Sequence, residues 1–247
     1  MTATAPLSTR SSRGLDWTNF FLADVRDGVG PYLGIYLLAS HNWDAGSIGV
    51  AMSAMGIAMV FAQTPAGAFI DNSRNKRLVM AIASLMVGAA TVGMTLFVNL
   101  PAIILFQIMT GVAAAVLLPG LAAITLGLVG YRQYAERQGR NEVFNHAGNV
   151  VAALIAGLVG HCIAREFLFY AVAVFALLSM VSVLTVRGEE IDNDLARGAK
   201  VSSEEEENKT SGFVATTKTG RRRSSPAPSA RSACTMRPLR PRASMKI

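Results

Sequence analysis

Three ionisable side chains within four positions, Asp24, Arg26 and Asp27, interrupt the otherwise apolar run FLADVRDGVGPYLG. A charge at depth in hydrocarbon costs roughly 2.5–3.5 kcal/mol on insertion scales. Such residues are therefore expected to pair with one another or to face a polar cavity, where they can hold a solute, bind an ion or carry a proton. Asp24 and Asp27 are three apart and share a helix face with Gly28 and Pro31. Arg26 is rotated by about 100° from Asp27 and is expected to pair with it or with another helix. The alternative, a charge cluster at the membrane surface, holds if the helix starts later in the chain. Asp16, earlier in the chain, is expected at that surface.

Other groups are less concentrated. The segment GAFIDNSRNKR holds Gly67, Asp71, Arg74, Lys76 and Arg77. Gly67 lets a neighbouring helix approach, and Asp71 can accept hydrogen bonds from the N–H groups that begin the next helix. The basic residues can reach a carboxylate or a lipid phosphate. The plain reading is an ordinary polar loop. Gln107 lies in a later apolar run, four residues before Gly111. The segment NEVFNHAGN clusters Asn145, His146 and Asn149. His146 is either a group that titrates near neutral pH or an interfacial hydrogen bonder, and Asn149 is a candidate to line a polar cavity. His41, His146 and His161 are too scattered to share a metal. Neither a Gly-rich phosphate loop nor Gly-x-Ser-x-Gly occurs. No catalytic residue, metal or cofactor is expected, and the chain does not read as an enzyme.

The elements that position these residues follow from composition. Of 247 residues, 51% are hydrophobic and only 16% charged, against roughly 25% charged in soluble domains. Long charge-free runs mark an all-α polytopic membrane protein. This excludes a soluble enzyme and a nucleic-acid-binding domain. The two cysteines, Cys162 in an apolar run and Cys234 in a polar stretch, form no disulfide framework. The net charge of +7 is unevenly spread: residues 1–186 hold 10 Lys/Arg and 8 Asp/Glu, and residues 187–247 hold 13 and 8. The basic excess belongs mostly to the tail, and it reads as a topology signal rather than a nucleic-acid partner.

Six apolar runs, near 17–39, 45–70, 78–98, 101–128, 143–164 and 167–186, each approach the ~20 residues needed to cross the hydrocarbon. The expected organisation is a cytoplasmic segment 1–16, a transmembrane bundle 17–186 and a cytoplasmic tail 187–247. Arg10 and Arg13 precede the first run; Arg74, Lys76 and Arg77 lie between the second and third; Arg132, Arg137 and Arg140 lie between the fourth and fifth. Arg165 is the one basic residue in the opposite loops. Both termini are therefore expected in the cytoplasm, in a bacterial-type inner membrane. Pro31, Pro65 and Pro119 predict kinks or broken helices. Gly148, Ala152, Ala156 and Gly160, spaced by four, form a small-residue ridge expected to pack another helix closely.

The tail is acid-rich up to Glu204–Glu207, and Val214–Ile247 then has no acidic residue, nine Lys/Arg and four prolines. Such composition predicts disorder. An out-of-frame or truncated gene product is an equally good reading.

The Gly67-x-x-x-Asp71 pattern, followed by basic residues and placed between the second and third runs, resembles the loop signature of the major facilitator superfamily. The resemblance covers about residues 15–212. It implies six transmembrane helices arranged as a 3+3 inverted repeat, one half of a transporter that moves a small-molecule substrate, coupled to protons or another ion. It also implies a missing C-terminal half or, failing that, a homodimer, with membrane lipid as the surrounding partner. Asn72 stands where the family usually has a basic residue, and Arg74 where it has glycine. Gln107 stands where the family often has an arginine tied to proton coupling. Arg26 is the candidate to supply that charge instead. The Gly-Pro pair associated with antiporters is absent from the fifth run. The competing class is a membrane scaffold, which should tolerate neutralisation of the first-run charges.

Overall fold

A computed structural model describes residues 8–27, 30–162 and 166–196. Two readings of the sequence, the tail from Arg197 onward and the Ala164–Glu166 connector up to Arg165, fall outside the described residues. The described residues form seven α-helices and one 3₁₀ turn, Gly188–Glu190. The helices are α1 (Thr9–Asp27), α2 (Gly30–His41), α3 (Ala45–Asn72), α4 (Lys76–Leu96), α5 (Leu100–Cys162), α6 (Phe167–Thr185) and the single turn α7 (Asn193–Ala196). Four of them, α3 to α6, are long and apolar enough to cross a membrane.

The first helix starts at Thr9, ahead of the apolar run that begins at Trp17. Its early turns are polar in sequence, but Ser11, Leu15, Thr18, Leu22 and Val25 are all buried along one face. The buried polar groups are satisfied locally: Thr18 Oγ1 donates to Gly14 O at 2.7 Å, and Asn19 Nδ2 donates to Leu15 O at 2.7 Å. Back-bonding of this kind lets Thr and Asn enter a helix interior. Apolar periodicity alone therefore placed the start too late.

Of the prolines at which a kink or break is expected, Pro31 stands in the first turn of α2, which begins at Gly30. Helix α3 continues through Pro65, and α5 continues through Pro119. The interruption in α5 is Gly130, with φ 71° and ψ 172°, a conformation open to glycine. The loop expected between the fourth and fifth runs is thus one glycine wide, and helix resumes at once. A straight helix of 63 residues would be about 95 Å long, three times the hydrocarbon thickness. Instead its arms fold alongside each other: Asn141 Nδ2 donates to Thr125 Oγ1 at 3.1 Å.

At the other end, Asn42 has φ 54° in the turn between α2 and α3. Asp44 caps α3, accepting from the Ser47 amide at 2.9 Å and the Ser47 hydroxyl at 2.7 Å. These two bonds hold the Asp44 carboxyl below the ordinary carboxylate range.

Two apolar clusters run along the bundle. One joins α1, α4, α5 and α6 through Leu15, Leu22, Met80, Val87, Leu117, Ile124, Ala176 and Val183. The other joins α2, α3, α4, α5 and α6 through Leu33, Tyr36, Ile48, Met94, Ile103 and Phe169. Between the helices the backbones come close at two glycines. A Cβ on Gly111 would lie 2.3 Å from Met55 O of α3, and one on Gly148 would lie 2.0 Å from Phe20 O of α1. In lipid such approach is a main source of association, since apolar surface alone gives no drive.

Gly148→Val is therefore expected to destabilise the bundle by about 3 kcal/mol or more. Gly157→Val, on the same helix, is the control, because a Cβ there meets nothing within 4 Å. Thermal unfolding in detergent should separate the two variants; equal melting temperatures would show that α1 does not rest on Gly148.

Candidate functional site

A cavity of about 440 Å³ opens between α1, α3 and both arms of α5. Its polar lining is Asn19 and Arg26 of α1, Gln63 of α3, and Gln138, Glu142 and Asn145 of the second arm of α5. Leu118, Pro119 and Ala122 of the first arm supply part of the apolar wall. The fold back at Gly130 is what brings residues 118–122 opposite residues 138–145. Within the second arm, Gln138, Glu142 and Asn145 lie at spacings of four and three, on one face. Gln138 Nε2 donates to Glu142 Oε1 at 3.0 Å, and Asn145 Nδ2 donates to Glu142 Oε2 at 3.3 Å. The carboxylate is held from both sides.

The chemistry of this lining is specific. It contains one guanidinium, one carboxylate and four carboxamides, each of which both donates and accepts. Its volume lies within the range of small-molecule sites. A small polar solute carrying hydroxyl, amide or charged groups would find partners on several walls.

Asp24 does not share this cavity with Arg26. It lines a separate crevice of about 10 Å³ with Tyr32 of α2, Ala152 and Ala156 of α5, and Leu168 and Phe175 of α6. That space is near the limit for one water and too small for a solute. Asp27 ends α1, and its side chain lies outside the described residues. Gln107 is buried and Asn149 half-buried; neither lines the two cavities. In the ridge, Gly148 meets α1, while Gly160 lies where no side-chain environment is described.

The Gly67–Arg77 segment joins the last turns of α3 to the start of α4. No Cβ neighbour lies within 4 Å of Gly67. Asp71 is exposed in the last turn of α3, and α4 begins at Lys76, its N-cap Asn75 making no side-chain capping bond. The basic residues bind backbone: Lys76 Nζ donates to Ser73 O at 2.8 Å, and Arg77 donates to Val186 O at the end of α6. These bonds tie the start of α4 to its own approach and to the chain after α6.

Sequence reasoning missed a second polar cluster. Asp16, expected at the surface, is 4% exposed in its side chain and bound by two arginines of α5. Arg137 Nη2 donates to Asp16 Oδ1 at 2.6 Å; Arg140 Nε donates to Oδ1 at 3.0 Å and its Nη2 to Oδ2 at 2.6 Å. Arg137 also donates to Ser12 Oγ, Ser12 O and Asn141 Oδ1. Asn141 passes the chain on to Thr125 across the Gly130 break. Burial of Asp16 follows from the early start of α1, which puts it on the face occupied by Leu15 and Asn19. The available signal was the i,i+3 pair Arg137 and Arg140, read as loop charges because the fifth run is read from 143 whereas helix resumes directly after Gly130. Asn19, two turns before Arg26 on the same face, was the corresponding signal for the cavity.

Comparison with known proteins agrees with these features. The model of the Major Facilitator Superfamily matches residues 15–239. Uncharacterized MFS-type transporters of two Mycobacterium tuberculosis strains, CDC 1551 / Oshkosh and ATCC 25618 / H37Rv, are each 48% identical over 189 residues. The alignment covers 76% of this chain and 45% of each relative, so the chain spans about half the length of the curated relatives it matches. An all-helical bundle with membrane-length helices, a polar cavity between them, and a family match over most of its length make the chain an integral membrane protein that belongs to the major facilitator superfamily.

Proposed function

We propose that the chain supplies one half of a secondary active transporter for a small polar solute, with the cavity around Arg26 and Glu142 as its share of the solute pathway. The cavity carries the reading: a scaffold has no use for a guanidinium, a carboxylate and four carboxamides facing open space between helices. In the proposed topology, α1 with α2 forms the first span and the arms of α5 form the fourth and fifth. This gives six spans as a 3+3 inverted repeat, with both termini cytoplasmic in a bacterial-type inner membrane.

Coupling is assigned to the first-span carboxylates. Asp24 sits beside a space the size of a water or a proton carrier, and Asp27 follows one turn later. Asn149 and Gln107, which line neither space, and the Gly67–Arg77 loop are assigned to the support of the pathway. A six-span half encloses only one wall of a midplane site. The described helices are therefore proposed to act together with a C-terminal half like the part of the relatives that the alignment does not cover.

Uptake assays in vesicles test this directly. The chain is offered a panel of labelled sugars, amino acids and organic acids, by itself and co-expressed. It should take up at least one when co-expressed with the part of the M. tuberculosis relative that it does not cover. Transport by neither preparation would remove the transporter reading.

Orientation has its own test. In a background lacking Cys162 and Cys234, single cysteines at Asn75 and Asn42 should label from opposite sides of the membrane, with Asn75 cytoplasmic. Labelling of the Asn75 position by an impermeant reagent added to intact cells would reverse the topology.

A further inference from the structure

We infer that the groove between the start of α1 and the end of α6 is a binding site for an anionic phospholipid, separate from the solute cavity and resting on the membrane placement of α1. The groove has a volume of about 430 Å³ and is lined by Arg10, Arg13, Gly14 and Trp17 of α1 and by Val181 and Ser182 of α6, among others. Arg10 and Arg13 are one turn apart, both exposed, and neither has an acidic partner among the described residues. Of the other arginines at this end, Arg137 and Arg140 are engaged by Asp16, Arg77 by Val186 O and Arg187 by Glu190. The acid-free groove therefore presents positive charge that the protein itself does not compensate.

The groups change in order along the groove. From Arg10 to Trp17 is about 10 Å along the helix axis. Trp17 is 48% exposed and is braced by Phe21, stacked at 5.6 Å, and by Phe20, edge-on at 5.5 Å. Exposed Val181, Leu177 and Leu178 of α6 continue the wall as apolar surface. Guanidinium, then indole, then aliphatic is the order a lipid presents as phosphate, glycerol-ester region and acyl chain. A close approach fixes the floor: a Cβ on Gly14 would lie 2.6 Å from Thr185 Oγ1. A free phosphate would use only the arginines and leave the aromatic and apolar part without purpose.

Trp17 and Trp43 are the two tryptophans of the chain, so Trp43→Phe leaves Trp17 as the reporter. The full chain carrying this change is placed in phosphatidylcholine vesicles with a minor fraction of brominated phosphatidylglycerol or brominated phosphatidylcholine. Quenching of Trp17 should show about thirtyfold enrichment of the anionic lipid at the groove, the ratio expected for two cations at a membrane surface. Arg10→Gln with Arg13→Gln should abolish the preference at unchanged melting temperature, and Arg10→Lys with Arg13→Lys should retain most of it. Millimolar inorganic phosphate should leave the quenching in place. Equal quenching by the two lipids, a preference that survives the glutamine pair, or relief by inorganic phosphate would each overturn the site. If neither lipid quenches, α1 is not at the membrane, and the topology fails together with this site.

Discussion

Asp16→Asn is expected to destabilise the helical bundle by about 3–5 kcal/mol, the range for breaking a buried ion pair from one side. The carboxylate accepts three hydrogen bonds from two guanidinium groups, and Arg137 is only 7% exposed. Without Asp16 that cation stays buried with only neutral partners, Ser12 and Asn141. Removing the cation as well should restore most of the loss, so Asp16→Asn with Arg137→Met is expected to melt close to the parent. Arg140→Gln should cost about 1 kcal/mol or less, since Arg140 is 54% exposed and its pair is screened. Thermal unfolding of detergent-solubilised protein reads all three variants. A silent Asp16→Asn would mean that the α1–α5 ion cluster does not hold the two helices together.

Arg26→Gln carries the second large expectation. With a co-expressed C-terminal half, it should lower uptake and solute counterflow about 10- to 100-fold, the loss expected for one hydrogen bond to a charged group. Glu142→Gln should impair the same two assays, because its carboxylate shares the cavity. Asp24→Asn should behave differently. It lies in the narrow crevice rather than the solute cavity, so counterflow should persist while accumulation against a gradient is lost. If Asp24→Asn and Arg26→Gln fail in the same way, solute binding and coupling are not divided between the two spaces.

The contrast between these residues marks how far the sequence could be read. Membrane helices were legible because hydrocarbon imposes length and apolarity on any segment that crosses it. The family was legible because Gly67, Asp71 and the basic residues stand at the spacing that carries the resemblance. What stayed hidden depends on long-range geometry. Asp16 and Arg137 are 121 residues apart, and each alone looks like an ordinary surface charge. Their meeting needs both the early start of α1 and the single-residue turn at Gly130, and neither leaves an apolar signal. The cavity was hidden for the same reason. Arg26 stood out as a charge in an apolar run, but Gln63, Gln138 and Glu142 are unremarkable until α5 folds back on itself. Polar Ser, Thr and Asn residues in α1 obscured the helix start because they bond their own helix and need no water.

A solute pathway requires the cavity to be a solvated space within the membrane protein. Its direct test is cysteine accessibility, which needs neither a known substrate nor a second half. In the background lacking Cys162 and Cys234, single cysteines replace Gln63 and Asn145 on the cavity wall and Phe61 and Leu184, which face outward with exposures of 80% and 45%. Membranes are then treated with a water-soluble maleimide. The cavity positions should react at rates near those of a soluble thiol, and the outward positions at least about tenfold more slowly, since thiolate formation needs water. Equal, slow reaction at all four positions would mean that lipid or packed protein fills the space around Arg26, and the proposed pathway would be wrong.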